Sequence, residues 1–377
     1  MGETMEIKHA ICPVCGVGCG IDLIVKDGKV IGTYPYRRNP INEGKNCING
    51  KECYKIINDK NRLKTPLIRK NVEFIESNWN DTLELVSKKL KTYNPDEIAI
   101  IGSGKCTNED NYALKKLADN LNVKNIGVCI CNSPKIDLNK EIASYDDVEN
   151  SKFILILGDI FGESPLIGRR VIKAKEKGSE IITVIEEKDI TNNKVGELNS
   201  NKFIKINNFS EFLKNIDKEP LKRLDENSII IFNKIIERED VNLVYNISEK
   251  TGCKLLPLLK YCNTMGAIKI LPPLNRKEMF DLIKDVKCAY IVGENPALYD
   301  KDNNILKSLD FLVVQDIFLT ETAQLADVVL PSACWAEKDG TFTNTMGTTQ
   351  KINKIIGAPG EALPDYEIIS KLAEKMR

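Results

Sequence analysis

Histidine is nearly absent from this 377-residue sequence, with His9 the single example. A metal site built from several imidazoles is therefore excluded, and a histidine general base has one candidate only. Excess charge of either sign is also missing. Lys+Arg and Asp+Glu both number 54, so nothing draws the chain toward a polyanion, and nucleic acid is not an expected partner. The local run of basic residues over 55–70 reads as a solvated face. Long apolar runs are lacking too. The longest, such as Phe153-Ile-Leu-Ile-Leu157 and Val328-Val-Leu330, are strand-sized, so membrane insertion is not expected. The first residues, Met1-Gly-Glu-Thr-Met-Glu-Ile-Lys8, have no signal-peptide apolar core. The sequence reads as cytoplasmic. In that reducing compartment its twelve cysteines are expected as thiols or metal ligands, not disulfides.

Two patterns organise what is present. Ile21-Asp-Leu-Ile-Val25, Asp27-Gly28 and Lys29-Val-Ile31 predict a hairpin near the N-terminus, because Asp-Gly between alternating apolar residues suits a tight two-residue turn. From Trp79 onward, strand and helix alternate. Helices are predicted over 81–91, with Asn80 or Asp81 as cap, and over 111–121 and 168–177. Strands are predicted at Glu97–Ile101, Phe153–Leu157, Glu180–Ile185, Cys288–Val292 and Phe311–Val314. Several of these strands end on glycine, notably Gly158 and Gly293. Strand–glycine–helix repetition points to doubly wound parallel sheets, which bind ligands at the carboxyl ends of their strands. The stretch 189–227 is rich in Lys and Asn and only weakly patterned.

The sharpest motif is Cys12-Pro-Val-Cys15-Gly-Val-Gly-Cys19-Gly, with Cys47 following after 27 intervening residues. Three thiolates on one tight glycine-rich loop and a fourth from a distant segment suit an all-thiolate [4Fe–4S] cluster. A structural zinc ion is the alternative, but zinc usually takes two closely spaced pairs. Here Cys47 would have to pair with Cys53, five residues intervening, and Cys53 reads better as a spare thiol.

The cluster loop runs on into Asn39-Pro-Ile-Asn-Glu-Gly-Lys-Asn-Cys47-Ile-Asn-Gly50 and Asn61-Arg-Leu-Lys-Thr-Pro-Leu-Ile-Arg69. A second long string covers Phe311-Leu-Val-Val-Gln-Asp to Pro331 and then Trp335-Ala-Glu-Lys-Asp-Gly-Thr-Phe-Thr-Asn344. Together these resemble the molybdopterin-containing oxidoreductases, and most nearly the alpha subunits of formate dehydrogenases. The resemblance implies an α/β fold with three parts. These are a small β-rich [4Fe–4S] domain over 1–62, a pterin-fold lobe from 63–128 with 266–377, and a second α/β lobe over 129–265. It also implies a Mo or W bis-pyranopterin guanine dinucleotide. Cys131 matches the metal-ligating position, with Cys129 close enough to be confused with it; a soft thiolate suits a sulfur-rich metal centre. The implied dinucleotide contacts are Gly158 and Asp159, Gly293 and Asn295, Gln315 and Asp316, and Thr320 with Thr322.

The sequence also departs from that family pattern. Asn49 stands where a lysine is expected, and Asn132 where a histidine follows the metal ligand. No arginine lies in Cys253-Lys-Leu-Leu-Pro-Leu-Leu-Lys260, so Lys254 is the nearest stand-in for a substrate-binding cation. The family's C-terminal barrel-like domain is not part of this sequence, and a separate polypeptide is the expected source. Two functions follow. One is an oxidoreductase of formate dehydrogenase type, with Cys131, Asn132 and Lys254 at its reactive site and an electron-transfer partner subunit. The other is a non-catalytic relay or scaffold that keeps the cluster and has lost the pterin site.

Overall fold

The computed structural model describes residues 5–131, 133–189, 194–233, 238–299 and 304–377. The N-terminal segment is a three-stranded antiparallel sheet of Met5–Ile11, Gly20–Lys26 and Lys29–Pro35. Its hairpin turns at Asp27 and Gly28, both at positive φ (48° and 75°), as the Asp-Gly signal requires. The cysteine loop connects the first two strands.

Two parallel sheets follow. The larger orders its strands Pro273–Leu274, Ile126–Cys129, Ile98–Ser103, Cys288–Val292, Phe311–Asp316, Val328–Pro331, Leu67–Lys70 and Glu73–Glu76. The first six run parallel, and the last two add antiparallel at one edge. The smaller sheet is parallel throughout: Lys202–Ile206, Glu180–Glu186, Phe153–Leu157, Ser228–Phe232 and Lys254–Pro257. Central strands such as Phe153–Leu157 and Cys288–Val292 are buried at every position. That is why they read as unbroken apolar runs: helices cover both faces of a parallel sheet. Among the described residues no sheet closes into a barrel.

The helix predicted over 81–91 spans Trp79–Leu90, and its cap is Asn78 rather than Asn80 or Asp81. The Asn78 side chain accepts the Asp81 N–H at 2.9 Å. Three polar residues in sequence offered caps, and the position of Trp79 decided among them: its indole Nε1 donates to the Glu361 carbonyl at 2.8 Å, fixing the first turn. The helix predicted over 111–121 begins earlier, at Asn108, behind a Thr107–Asp110 capping box. Strands Ser228–Phe232 and Lys254–Pro257 were not predicted. Short apolar runs after a polar stretch carry no period that separates a strand from a buried helix turn.

Two buried charge pairs tie the parts together. Arg62 and Glu337, each with a side chain only 1% exposed, form a bidentate pair at 3.1 and 2.7 Å. Lys338 donates to Asp110 at 2.6 Å and also to Asp365. Removing one partner of a buried pair leaves an uncompensated charge. Arg62→Met is expected to lower stability by about 3–5 kcal/mol in urea unfolding followed by circular dichroism, and R62M/E337Q to recover most of that loss.

Candidate iron–sulfur centre and cofactor cleft

The cysteine loop is closed by the Cys12 N–H donating to the Cys19 carbonyl at 2.8 Å. Gly18 sits at φ 81°, and a side chain on Gly16 would collide with Thr345 Oγ1 (2.6 Å) and the Leu259 carbonyl (2.9 Å). Only glycine fits this approach. The loop backbone is held from outside its own domain. Gly16 donates to Leu259 O (3.1 Å), Thr345 N–H donates to Gly16 O (2.7 Å), Tyr145 OH donates to Val17 O (3.0 Å), and Gln350 Nε2 donates to Gly18 O (2.9 Å).

Cys47 caps the short helix Ile48–Glu52, its sulfur accepting the Gly50 N–H at 3.3 Å. Cys12, Cys15, Cys19 and Cys47 line one cavity, closed by Asn46, Gly50 and Ser164–Leu166. Hydrogen bonding to Cys53 and burial push the Cys12 thiol up. Burial, with the Cys12 charge beside it, pushes Cys15 to about 12, and burial with the same neighbours raises Cys19. Thiols raised in this way become thiolates together only around a strongly positive centre. A single tetrahedral zinc would hold its sulfurs about 3.8 Å apart, given Zn–S bonds of about 2.3 Å. Among the described residues, the one set of three ligand atoms mutually within 4.8 Å is Cys106, Asp110 and Asp365, not the four cysteines. The wider cage suits a cluster. The buried Asn46 Nδ2, in a residue lining that cavity, has no partner, as fits a donor waiting for a sulfur acceptor. Cys53 opens a short 3-10 turn and does not line the cavity.

The expected cofactor residues lie at the carboxyl ends of strands in both sheets. After Cys288–Val292, Gly293 (φ 67°) leads into Glu294, whose Oε1 accepts from Ser103 Oγ at 2.7 Å. Asn295 and Thr322 interlock two neighbouring strand-end loops: Asn295 Oδ1 accepts from Thr322 N (3.0 Å) and Oγ1 (2.7 Å). Thr320 Oγ1 accepts from Ala323 N–H at 3.2 Å, starting the turn that follows. Asp316 accepts backbone N–H groups of Ile317 and Phe318, while burial pushes its carboxyl up to about 6 against the pull of Lys105. Gly158 (φ 103°) and Asp159 end the central strand of the smaller sheet, with Asp159 capping a short turn through Gly162 N–H at 3.1 Å.

Gln315 is a correction. Its side chain is buried among Tyr290 and Asp365, accepting from one and donating to the other at 2.7 Å, so it braces the core and is not free for a ligand. Lys254 is a second correction. It opens the strand Lys254–Pro257 and pairs with Asp147, 50% exposed, at the amino end of the sheet, away from the ligand edge. Lys260, just past the carboxyl end of that strand, stands nearer: its N–H donates to Ser133 Oγ at 2.9 Å, two residues beyond Cys131. Cys131 follows the strand Ile126–Cys129, and its sulfur is bonded to that of Cys129, a correction to the expectation that the cysteines form no disulfide: only two residues apart, the two thiols meet where the strand ends. Asn132 lies outside the described residues.

Lys105 was missed by the sequence reading. It ends Gly102-Ser-Gly-Lys105, a glycine turn after a buried strand, and that local signal could have found it. Its ammonium is 43% exposed, 4.8 Å over the Tyr261 ring, and donates to the Gly293 carbonyl at 3.0 Å. Burial works against its charge, yet Glu294, Tyr261 and Asp316 outweigh that and hold its pKa above the ordinary lysine value. A cation over the strand ends suits an anionic dinucleotide. The donor set fits a cluster, with four thiols around one cavity, and Lys105 over the strand ends suits the charge of a dinucleotide, whereas Cys131 is bonded to Cys129.

A four-thiol cage packed against the carboxyl edges of parallel sheets defines an iron–sulfur oxidoreductase core. Comparison with known proteins makes that specific: residues 62–375 match the molybdopterin oxidoreductase family, and residues 5–59 match the Fe4S4 domain of molybdopterin oxidoreductases. The chain belongs to the molybdopterin oxidoreductase family, and its cofactors are a [4Fe–4S] cluster and a molybdopterin. It is similar to F420-dependent formate dehydrogenase 1 subunit alpha of Methanococcus maripaludis, 37% identical over 99% of this chain and 70% of that one. The F420-dependent formate dehydrogenase subunit alpha of Methanocaldococcus jannaschii is 39% identical over 98% of this chain and 70% of its own length. Both alignments run over 475 positions against 377 residues here, so those relatives carry additional segments inside the matched span. Acetylene hydratase from Pelobacter acetylenicus shares the fold, with TM-score 0.66 and 17% identity over 98% of this chain and 69% of that one. No helix among the described residues is long and apolar enough to cross a membrane.

Two measurements check the site. Cys47→Ser is expected to lose most of its iron on anaerobic purification, whereas Cys53→Ser retains about four iron atoms per chain, by elemental analysis. Asp316 gives a pH signature. Its native carboxyl holds a proton that the unfolded chain releases nearer 3.8, so stability falls as pH rises from there toward 6. The difference between wild type and Asp316→Asn in urea midpoint should trace that fall and level off above it.

Proposed function

We propose that this chain is the core of a molybdenum- or tungsten-dependent oxidoreductase acting on formate or a related one-carbon acid. What supports this most is the likeness to formate dehydrogenase alpha subunits along the whole chain, together with one physical feature. Residues 259–263 join both redox positions: Leu259 O accepts from Gly16 in the cluster loop, and Lys260 N–H donates to Ser133 beside Cys131.

When bound, the pterin-held metal supplies two-electron chemistry at carbon. In this reading Cys131 would hold the metal as a thiolate once a dithiol reductant has supplied two electrons to open its bond to Cys129. Lys105, Asn295 and the Gly293 and Gly158 turns hold the anionic dinucleotide. Lys254, at the amino end of its strand and paired with Asp147, is too distant to offer the substrate carboxylate a cation. Cys12, Cys15, Cys19 and Cys47 would hold the cluster, which would supply one-electron transfer toward a partner subunit, as the alpha-subunit naming of the relatives suggests.

The relay reading is favoured by one observation: asparagine stands at 49, where the family pattern has a charged residue between cluster and pterin. Metal analysis separates the two. Anaerobic protein from cells supplied with molybdate and tungstate is expected to carry about four irons and about one Mo or W per chain, and to reduce a viologen dye with formate. Cys131→Ala should lose the Mo or W and the activity while keeping its iron. Iron without Mo or W in the wild-type protein would establish the relay instead.

A further inference from the structure

Two groups approach the cluster cage from different parts of the fold. Asn46 immediately precedes Cys47 and lines the cavity of the four thiols. Its buried Nδ2 has no hydrogen-bond partner. An amide donor left unsatisfied in the interior costs about 1–3 kcal/mol, so such an atom is retained where something accepts from it. The atoms that would fill this cavity are sulfurs.

Lys260 comes from the second lobe. Its neighbour Leu259 is bonded to Gly16, the residue after Cys15, and its own N–H is bonded to Ser133. The first bond holds the backbone of Lys260 against the cysteine loop beside Cys15, and the second ties it to the segment after Cys131. Among the described residues no carboxylate pairs with the Lys260 ammonium, so its field is not cancelled locally.

Reduction adds one electron to a cage whose four thiolates already make it net negative. A donor bonded to a sulfur and a fixed positive charge alongside both favour the reduced form. We propose that the Asn46 amide, through an N–H···S hydrogen bond, and the Lys260 ammonium, as a fixed charge beside Cys15, together raise the reduction potential of the [4Fe–4S] cluster. Neither residue binds iron; both are positioning residues for electron transfer. The inference depends on the cluster alone and holds whether or not a metal is bound at Cys131. Because Lys260 belongs to the second lobe, the potential also depends on the clamp that holds the cluster loop against that lobe.

The test is a redox titration of the full chain, reconstituted with iron and sulfide, using dithionite as the one-electron reductant and the EPR signal of the reduced cluster as readout. Asn46→Leu removes the donor at similar size, and Lys260→Met removes the charge but keeps the stem. Each is expected to shift the midpoint negative, lowering the reduced-to-oxidised ratio at the wild-type midpoint by about threefold or more. The double variant should shift further, and Lys260→Arg should return to the wild-type value. If Asn46→Leu fails to load iron, Asn46→Ser, which cannot reach the cluster, takes its place with the same expected shift. Wild-type midpoints in variants with full iron content would overturn the proposal. A merely structural role would alter iron loading and leave the midpoint where it was.

Discussion

The cluster loop cannot hold its shape alone, and the structure depends on its being gripped by distant parts of the chain. Gly16, Val17 and Gly18 use their backbone carbonyls and an N–H to bond Leu259, Thr345, Tyr145 and Gln350. Those partners come from three separate segments of the two larger parts of the fold. A short three-stranded sheet has little core of its own. The bonds that satisfy the loop also fix where the thiols stand relative to the strand ends. Small side chains are required at the contact because backbone meets backbone, and Gly16 has no room for a Cβ.

The same logic explains the two long strings that made the sequence recognisable. Arg62 lies in one and Glu337 in the other, and the structure brings them together as a buried bidentate pair. Lys338, the next residue, reaches Asp110 at the start of the helix Asn108–Asn120 and Asp365 at the start of the final helix. Buried charges of this kind are weak sources of stability, but removing one partner is costly. Their effect here is positional. They fasten the segment after Val328–Pro331 to the strand-end loops above which Lys105 sits.

Electrostatics across the cleft form a graded arrangement. The Cys12, Cys15 and Cys19 thiols resist ionisation without iron, because burial and one another's charge raise their pKa values. Lys105 stays charged because Glu294 and Asp316 face it, while Asp316 is itself partly disfavoured as an anion. Positive charge at Lys105 and Lys260 thus borders the region where the sheets' carboxyl edges meet.

The sequence alone determined the spacing of the four cysteines that come to line one cavity, the parallel strand–glycine–helix architecture and the family, because each is written in local pattern: cysteine intervals, apolar runs and glycine at strand ends. It could not tell Gln315 from its neighbour Asp316, since only packing reveals that one side chain turns into the core. It chose Lys254 over Lys260 because both lie in the same short segment, and only the direction of the strand shows which end meets the ligand edge. It overlooked Lys105, whose partners Glu294, Tyr261 and Asp316 are brought to it from more than 150 residues away. Which charges face the redox centres was therefore decided by tertiary structure, because a field depends on distance in space and not on separation along the chain.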